Sequence, residues 1–270
     1  MANQSICPYE DMVLLSVITV CRNDSKRLKI TINSLIPFYS DSRFEHIIVD
    51  GDSNDETELL VKPLLQKKNF KFVSNRDSGI YDAMNRGAEY SRAPLLLFLN
   101  CGDTIIASPT EIHAALSKLV AGKNVELPEI ACFSVQLIGS AGYRTLLPVR
   151  LDLHKMPTSH QGMVFCRNFV LQKKYQTTYR IAGDYDLYLR ANKVELVGNV
   201  FNGPLASVEL DGVASANPIR AYFEYLLIAR IRLVGWPKVI TIIKIGIRAI
   251  CVISIKSIIS KGWAVTLRRL

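Results

Sequence analysis

Four short apolar runs, each closed by polar residues, limit what this chain can fold into: residues 13–20 (VLLSVITV), 46–50 (HIIVD), 70–74 (FKFVS) and 95–99 (LLLFL). Runs that stay apolar throughout, rather than alternating with polar residues, belong to strands buried on both faces. Between them Asp24 is placed to cap a helix of about 24–37 and Asp55 to cap a second, while 79–91 sets Ile80, Ala83, Met84 and Gly87 on one helical face. The resulting βαβαβαβ order predicts an α/β fold with a doubly wound, mostly parallel central sheet flanked by helices. Such a sheet takes its ligand at the carboxyl ends of its strands. The residues to examine are therefore Thr19 to Asn23, Asp50 to Asp55, Asn75 to Asp77 and Asn100 to Asp103. That set is acidic for a phosphate site, which implies a bridging cation.

Beyond residue 104 the periodicity weakens, with a helix expected near 109–121, strands near 130–138 and 161–166, and a helix at 184–192. No GxGxxG follows the first run and no GxxxxGK[ST] occurs, so a dinucleotide-dependent dehydrogenase and a P-loop ATPase lose their main support. An apolar content of 49% excludes a disordered chain, and six cysteines with no CxxC pair exclude a disulfide scaffold and a zinc-type spacing. Residues 1–11 lack a basic stretch leading into an apolar core, and the expectation is a cytoplasmic protein.

The formal charge of +9 is carried entirely by the C-terminal end, because no acidic residue follows Glu224 while nine bases do. A composition boundary therefore falls near Asn217-Pro218, dividing a domain of residues 1–216 from a basic, apolar, helical tail of 217–270. The tail's longest uncharged run in KVITIIKIGIRAICVISIKSII is far shorter than the roughly 20 residues that cross a bilayer. Thr241, Lys244 and Arg248 share one helical face opposite isoleucines, the pattern of an amphipathic helix lying on an anionic membrane. A helix packed on the domain with its bases outward is the alternative. Nucleic acid fits poorly, since isoleucine and valine rather than stacking aromatics interleave with the bases.

Four strings carry a resemblance: SVITVCRN (16–23), IIVDGDSNDET (47–57), RDSGIYDAMNRGAEYSRAPLLLFLNCGD (76–103) and IAGDYDLYLR (181–190). Together, over about residues 13–210, they resemble a family 2 glycosyltransferase of the GT-A fold, and in particular the bacterial enzymes that build colanic-acid, capsule or O-antigen repeat units. The resemblance implies a donor-nucleotide half of about 13–104 and an acceptor half of about 105–216. It puts Thr19 and Asn23 in the nucleotide-side loop, makes Asp50 the carboxylate that reads the base, and sets Ser53 and Asp55 around base and ribose. Arg76, Asp82 and Asn85 would lie along ribose, diphosphate and donor sugar. Helix capping is the competing reading for Asp55, as for Asp77 and Ser78.

Asn100-Cys101-Gly102-Asp103 stands where the family has its metal motif and departs from the fuller Asp-x-Asp-Asp form, leaving Asp103 to hold Mn²⁺ or Mg²⁺. Asp184 matches the family's catalytic base, with Gly183 where many members have Glu; Asp186 is the runner-up, and capping is the alternative for Asp184. His160, before the strand GMVFC, either meets the acceptor or diphosphate or is a hydrogen-bonded structural histidine.

The reading is an inverting glycosyltransferase moving a sugar from a nucleotide-diphosphate donor to a hydroxyl of a polyprenyl-diphosphate-linked saccharide, peripheral on the inner face of the cell membrane. Its rivals are a nucleotidyltransferase or phosphohydrolase using the same acidic strand ends, and a non-catalytic module that binds sugar nucleotide.

Overall fold

The structure is a computed structural model that describes residues 12–120, 127–139, 142–148, 155–198, 203–209 and 217–250. Its first half follows the sequence pattern closely. Strands β1 (Leu15–Cys21), β2 (Phe44–Asp50), β3 (Phe70–Ser74) and β4 (Leu95–Phe98) alternate with helices α1 (Ser25–Ser34), α2 (Thr57–Val61) and α3 (Ile80–Tyr90). Helix α4 (Pro109–Val120) follows a short strand β5 (Thr104–Ile105). The second half supplies β6 (Ile130–Phe133), β7 (Val135–Gly139), β8 (Gly142–Leu146), β9 (Met163–Cys166), α5 (Arg167–Lys173), α6 (Gly183–Leu189), β10 (Val194–Gly198) and β11 (Ala206–Glu209). Two helices close the described chain, α7 (Pro218–Arg232) and α8 over residues 235–250.

Seven strands form the central sheet in the order β10-β6-β9-β4-β1-β2-β3. Strands β1 to β4 are mutually parallel, and Cys21, Asp50 and Ser74 stand side by side where β1, β2 and β3 end. Strand β9 runs antiparallel to both β4 and β6, pairing Leu97 with Val164. Its reversed direction sets the start of β9 beside the end of β4, so residues 160–162 lie at the same edge as residues 100–103. A second sheet, β5-β11-β7-β8, brings the end of β11 to that edge too, because Ser207 pairs with Thr104.

Every residue of β1 and β2 is buried, as expected of strands covered on both faces. Ile18, Val20, Ile47 and Val49 meet Tyr81, Met84 and Ala88 of α3 on one side. On the other, Leu15, Val17 and Leu97 meet Leu35, Phe38, Ile112 and Leu116.

Asp24 does not cap α1: it makes no side-chain cap bond and pairs with Arg27 at 3.5 Å. The cap comes from the neighbouring loop, where Asp55 Oδ2 accepts the Ser25 N–H at 2.9 Å and Oδ1 accepts the N–H and hydroxyl of Thr57 at 3.0 and 2.6 Å. Asp55 thus caps the starts of α1 and α2 at once. Burial opposes its ionisation, but these donors outweigh it and bring the carboxyl down to about 2.

The composition boundary near 217 does not coincide with a break in packing. Asp186 of α6, fully buried, pairs with Arg190 at 2.9 Å and with Arg232 of α7 at 2.8 Å. Ala229, Leu233 and Ile245 form a small core joining α7 to α8. Thr241 lies on this buried side rather than with Lys244 and Arg248. Ile240, Ile243, Ile247 and Ile250 remain exposed. The rest of the tail lies outside the described residues.

His46 of β2 is wholly buried between the Tyr39 hydroxyl at 2.8 Å and Thr19 Oγ1 at 3.0 Å, and burial pushes its pKa down to about 3. The unfolded chain binds this proton near pH 6.5 and the folded one does not, so stability is lost as pH falls from 6.5 toward 3. Thermal melts of wild type should fall over that window with a slope of up to about 1.4 kcal/mol per pH unit from this group. The His46→Gln variant should lose that part of the slope.

Candidate active site

A cleft of about 360 Å³ opens at the carboxyl edge of β1 and β4. Its floor is Val20, Cys21, Asn100 and Cys101, and its wall on the α3 side is Asp77, Gly79, Ile80 and Ala83. Arg22, Asp24, Arg27, Asp103, Gln161 and Glu209 complete the lining.

The turn that carries Asp103 is held by α1. Thr31 Oγ1, fully buried, donates to the Asp103 carbonyl at 2.8 Å and accepts the Gly102 N–H at 3.0 Å. Asp103 itself is buried; its Oδ2 accepts Gln161 Nε2–H at 2.7 Å and its Oδ1 the Glu209 N–H at 3.2 Å. Burial raises its carboxyl above the ordinary value, against the Gln161 bond and the nearby His160. Gly102 has φ +92, and a Cβ there would stand 2.7 Å from Arg27 Nε. A side chain at 102 is therefore strained by its backbone, and the space beside it holds the Arg27 guanidinium, which pairs with Glu209 at 2.9 Å.

From the cleft floor a polar chain runs to the acceptor side. Asn100 Nδ2 lies 3.1 Å from His160 Nε2, and His160 Nδ1 faces Asp184 Oδ2 at 3.5 Å. With the Asn100 amide as donor, the proton of His160 sits on Nδ1, toward Asp184. Asp184 occupies the first turn of α6, whose start is clamped from two sides. The Tyr81 hydroxyl donates to the Ile181 carbonyl at 2.6 Å, and Glu224 of α7 accepts the N–H groups of Arg180, Ile181 and Ala182 at 2.8 to 3.1 Å. Gly183 fits because Tyr81 fills the volume beside it: a Cβ would meet the ring at 2.6 Å.

The other sequence candidates fall into distinct groups. Asp50 is buried at the end of β2, and its oxygens take the Ser53 N–H at 3.0 Å, the Ser53 hydroxyl at 2.5 Å and the Ser74 hydroxyl at 2.7 Å. Asn23 N–H donates to Ser53 Oγ at 2.8 Å, and Asn23 Oδ1 accepts the Asn54 N–H at 2.8 Å, tying the first two loops together. Arg76 is exposed and is not among the residues lining the cleft.

Thr19, Asp82 and Asn85 stand apart from the cleft, each engaged in holding the fold. Thr19 is fully buried within β1 against His46. Asp82 accepts the Ser78 N–H at 3.0 Å and pairs with Arg86 at 3.0 Å, securing the start of α3. Asn85 makes two bonds, at 2.9 and 2.8 Å, to the backbone of Tyr175. Asp186, between its two arginines, is no rival to Asp184. Sequence reasoning missed Arg27 and Glu209 in the cleft and Thr31 beneath it; only Arg27, three residues after Asp24, left a local signal.

A parallel β3-β2-β1-β4 block followed by an antiparallel strand, with an acidic cleft at its carboxyl edge, defines the class: this is the GT-A fold of nucleotide-sugar-dependent glycosyltransferases. Comparison with known proteins agrees. The sequence model of Glycosyl transferase family 2 matches residues 16–144. A PGL/p-HBAD biosynthesis glycosyltransferase of Mycobacterium bovis is 28% identical over 213 residues, covering 73% of this chain and 81% of the relative. An uncharacterized glycosyltransferase of Mycobacterium tuberculosis is 30% identical over 183 residues, covering 66% and 68%. Among solved structures, S. aureus TarS in complex with UDP superposes with a TM-score of 0.63 at 15% identity, over 86% of this chain and 70% of TarS. The mannosyltransferase PcManGT from Pyrobaculum calidifontis, in complex with GDP-Man and Mn²⁺, gives 0.56 at 11% identity, over 94% and 80%. The chain belongs to glycosyltransferase family 2. That membership sets aside the nucleotidyltransferase and phosphohydrolase readings.

The tight fit of Gly183 against Tyr81 can be tested directly. Gly183→Ala should cost about 1 to 3 kcal/mol, the usual penalty of overpacking, read as a lowered midpoint in urea unfolding.

Proposed function

We propose that this glycosyltransferase is an inverting enzyme that moves a sugar from a nucleotide-diphosphate donor to a hydroxyl of a polyprenyl-diphosphate-linked saccharide in bacterial surface-polysaccharide assembly. The observation that carries the reading is the Asn100-His160-Asp184 chain, which links the floor of the cleft to a carboxylate on the acceptor side. Bound UDP, UDP-GlcNAc and GDP-Man in the structural neighbours support a nucleotide-sugar donor.

Asp184 takes the proton of the acceptor hydroxyl as that oxygen attacks the anomeric carbon; the bond from this carbon to the diphosphate breaks, and nucleoside diphosphate leaves with the bonding pair. His160 faces the carboxylate and fixes its orientation. Asn23, Asp50, Ser53 and Asp55 hold the loops on the nucleotide side through hydrogen bonds to one another and to neighbouring amides.

The residues present suit a divalent cation bound chiefly through the donor. Among the described residues no group of three or more His, Cys, Asp or Glu side chains forms a cage. The buried Asn100 Oδ1 nonetheless has no hydrogen-bond partner among the described residues, and each oxygen of the nearby Asp103 carboxylate, which accepts one hydrogen bond, keeps a further lone pair. Asp103 and Asn100 would hold Mn²⁺ or Mg²⁺ together with diphosphate oxygens, and the ion would offset the charge of the leaving group.

Calorimetry with UDP, GDP and dTDP, with and without Mn²⁺, tests the donor site. One nucleotide should bind in a metal-dependent way and about tenfold or more weakly to Asp103→Ala. Failure of the folded protein to bind any of them would refute the assignment.

The closing helices suit an anionic membrane surface. Ile219, Phe223, Leu227 and Ile231 are exposed at four-residue spacing on α7, and Trp236, Ile240, Ile243, Ile247 and Ile250 follow on α8 among Lys238, Lys244 and Arg248. Among the described residues no helix is long and apolar enough to cross a membrane. The protein should co-sediment with phosphatidylglycerol vesicles and not with phosphatidylcholine alone. Replacing Trp236 and Ile243 together by glutamate should abolish that binding.

A further inference from the structure

We propose that Glu224 is a positioning residue for Asp184, so that α7 sets the geometry of the acceptor side while the donor cleft is built without it. The inference rests on the reading of Asp184 as the base.

Helix α6 is only seven residues long and begins in the interior, where backbone N–H groups need partners. The amides just before it have no caps of their own sequence: Ala182 is the N-cap residue and offers no side-chain acceptor. One carboxylate replaces them all. Glu224 is almost completely buried, and its two oxygens accept from Arg180 at 3.0 and 3.1 Å, Ile181 at 2.8 Å and Ala182 at 3.0 Å. Asp184 lies two residues beyond the last of these amides. The carboxylate is held in turn by Arg220 Nε at 3.1 Å, one turn earlier on α7.

Among the described residues no other side chain accepts these three N–H groups, although Asp186 with Arg232 and Tyr185 with Tyr225 also hold α6 against α7. The Tyr81 hydroxyl grips the same segment by a carbonyl, which sets its height over α3 but leaves its N–H groups unpaired. Among the described residues Arg27, Asn100, Asp103, Gln161 and Glu209 make no bond to α7, and the segment that Glu224 holds reaches the cleft wall only at its rim, where the Arg180 guanidinium donates to the Ser78 carbonyl beside Gly79. Loss of the Glu224 acceptor should therefore move the base and spare the donor. A base displaced by about 1 Å loses on the order of a hundredfold in rate.

The test compares wild type, Glu224→Gln, Arg220→Ala, Asp184→Asn and the Glu224→Gln/Asp184→Asn double variant, each as full chain. Three quantities are read: nucleotide affinity by calorimetry with UDP, GDP and dTDP, release of nucleoside diphosphate from UDP-, GDP- and dTDP-hexoses with water as acceptor, and amide hydrogen exchange. Glu224→Gln should speed exchange across 180–189 by about tenfold or more, lower turnover by about 10- to 100-fold, and leave nucleotide affinity within about twofold. Arg220→Ala, which frees the Glu224 carboxylate without removing its oxygens, should shift exchange and turnover in the same direction but less than Glu224→Gln, and the double variant should turn over no more slowly than Asp184→Asn.

Unchanged exchange over 180–189 in Glu224→Gln overturns the proposal whatever the turnover. So does full turnover in Glu224→Gln when Asp184→Asn has lost it. Full turnover in Asp184→Asn instead removes the base assignment, a different failure. Should Glu224→Gln fail to fold, exchange in wild type decides: amides of 180–182 protected like the strands support the clamp, and amides exchanging like loops refute it.

Discussion

Asp50 accepts three hydrogen bonds at the end of β2, and the donor half of the molecule depends on them. Parallel pairing alone brings the ends of β1, β2 and β3 to one line, but it leaves the loops beyond that line unspecified. A buried carboxylate is costly unless its oxygens are satisfied, and here Ser53, in the loop after β2, and Ser74, the last residue of β3, satisfy them. Ser53 then receives the Asn23 N–H, so the order of β2 passes to the loop after β1. Asp55 continues the chain by capping α1 and α2 together. The loops beside the cleft are thus tied to each other rather than separately to the sheet.

The acceptor side is organised by other means. It draws on the start of a reversed strand, β9, on the end of β11 in a second sheet, and on a short helix that is gripped through its backbone. Side chains from α3, α7 and residues 160–161 converge there across long separations in sequence. The two halves of the chain share the central sheet through the pairing of β4 with β9 and a common core, and at the cleft Asn100 meets His160 and Asp103 meets Gln161.

Local information explains which features could be read from the sequence. The buried strands β1, β2 and β4 were legible because largely apolar runs have one cheap fate in an α/β fold, β3 at the sheet edge followed from its place in the alternation, and the polar turns after them mark the cleft. Asp103 and Asp184 were legible through motif strings. Thr19, Asp82 and Asn85 sit in the same strings, yet the structure engages them in the fold, since a motif fixes residue types and not the partner each will find. Glu209 and Thr31 left no trace because the contacts that matter are made through register and tertiary packing. Glu224 was visible only as the last acid before a basic tail, and the boundary drawn near residue 217, just ahead of α7, set apart the helix that binds α6. Composition records charge along the chain, whereas the buried pair of Asp186 with Arg232 records where that helix packs.

Tyr81 and Gly183 share a single volume, and this has a consequence for how sequences of this kind can drift. A side chain at 183 becomes admissible only after the ring at 81 has shrunk or turned away, and shrinking the ring first removes the hydroxyl that holds the Ile181 carbonyl. Either first step is penalised, and the second is favourable only once the first has been taken. The two positions are therefore coupled: an exchange at one is favourable only with an exchange at the other, so the residue beside Asp184 should vary together with a residue about a hundred positions earlier.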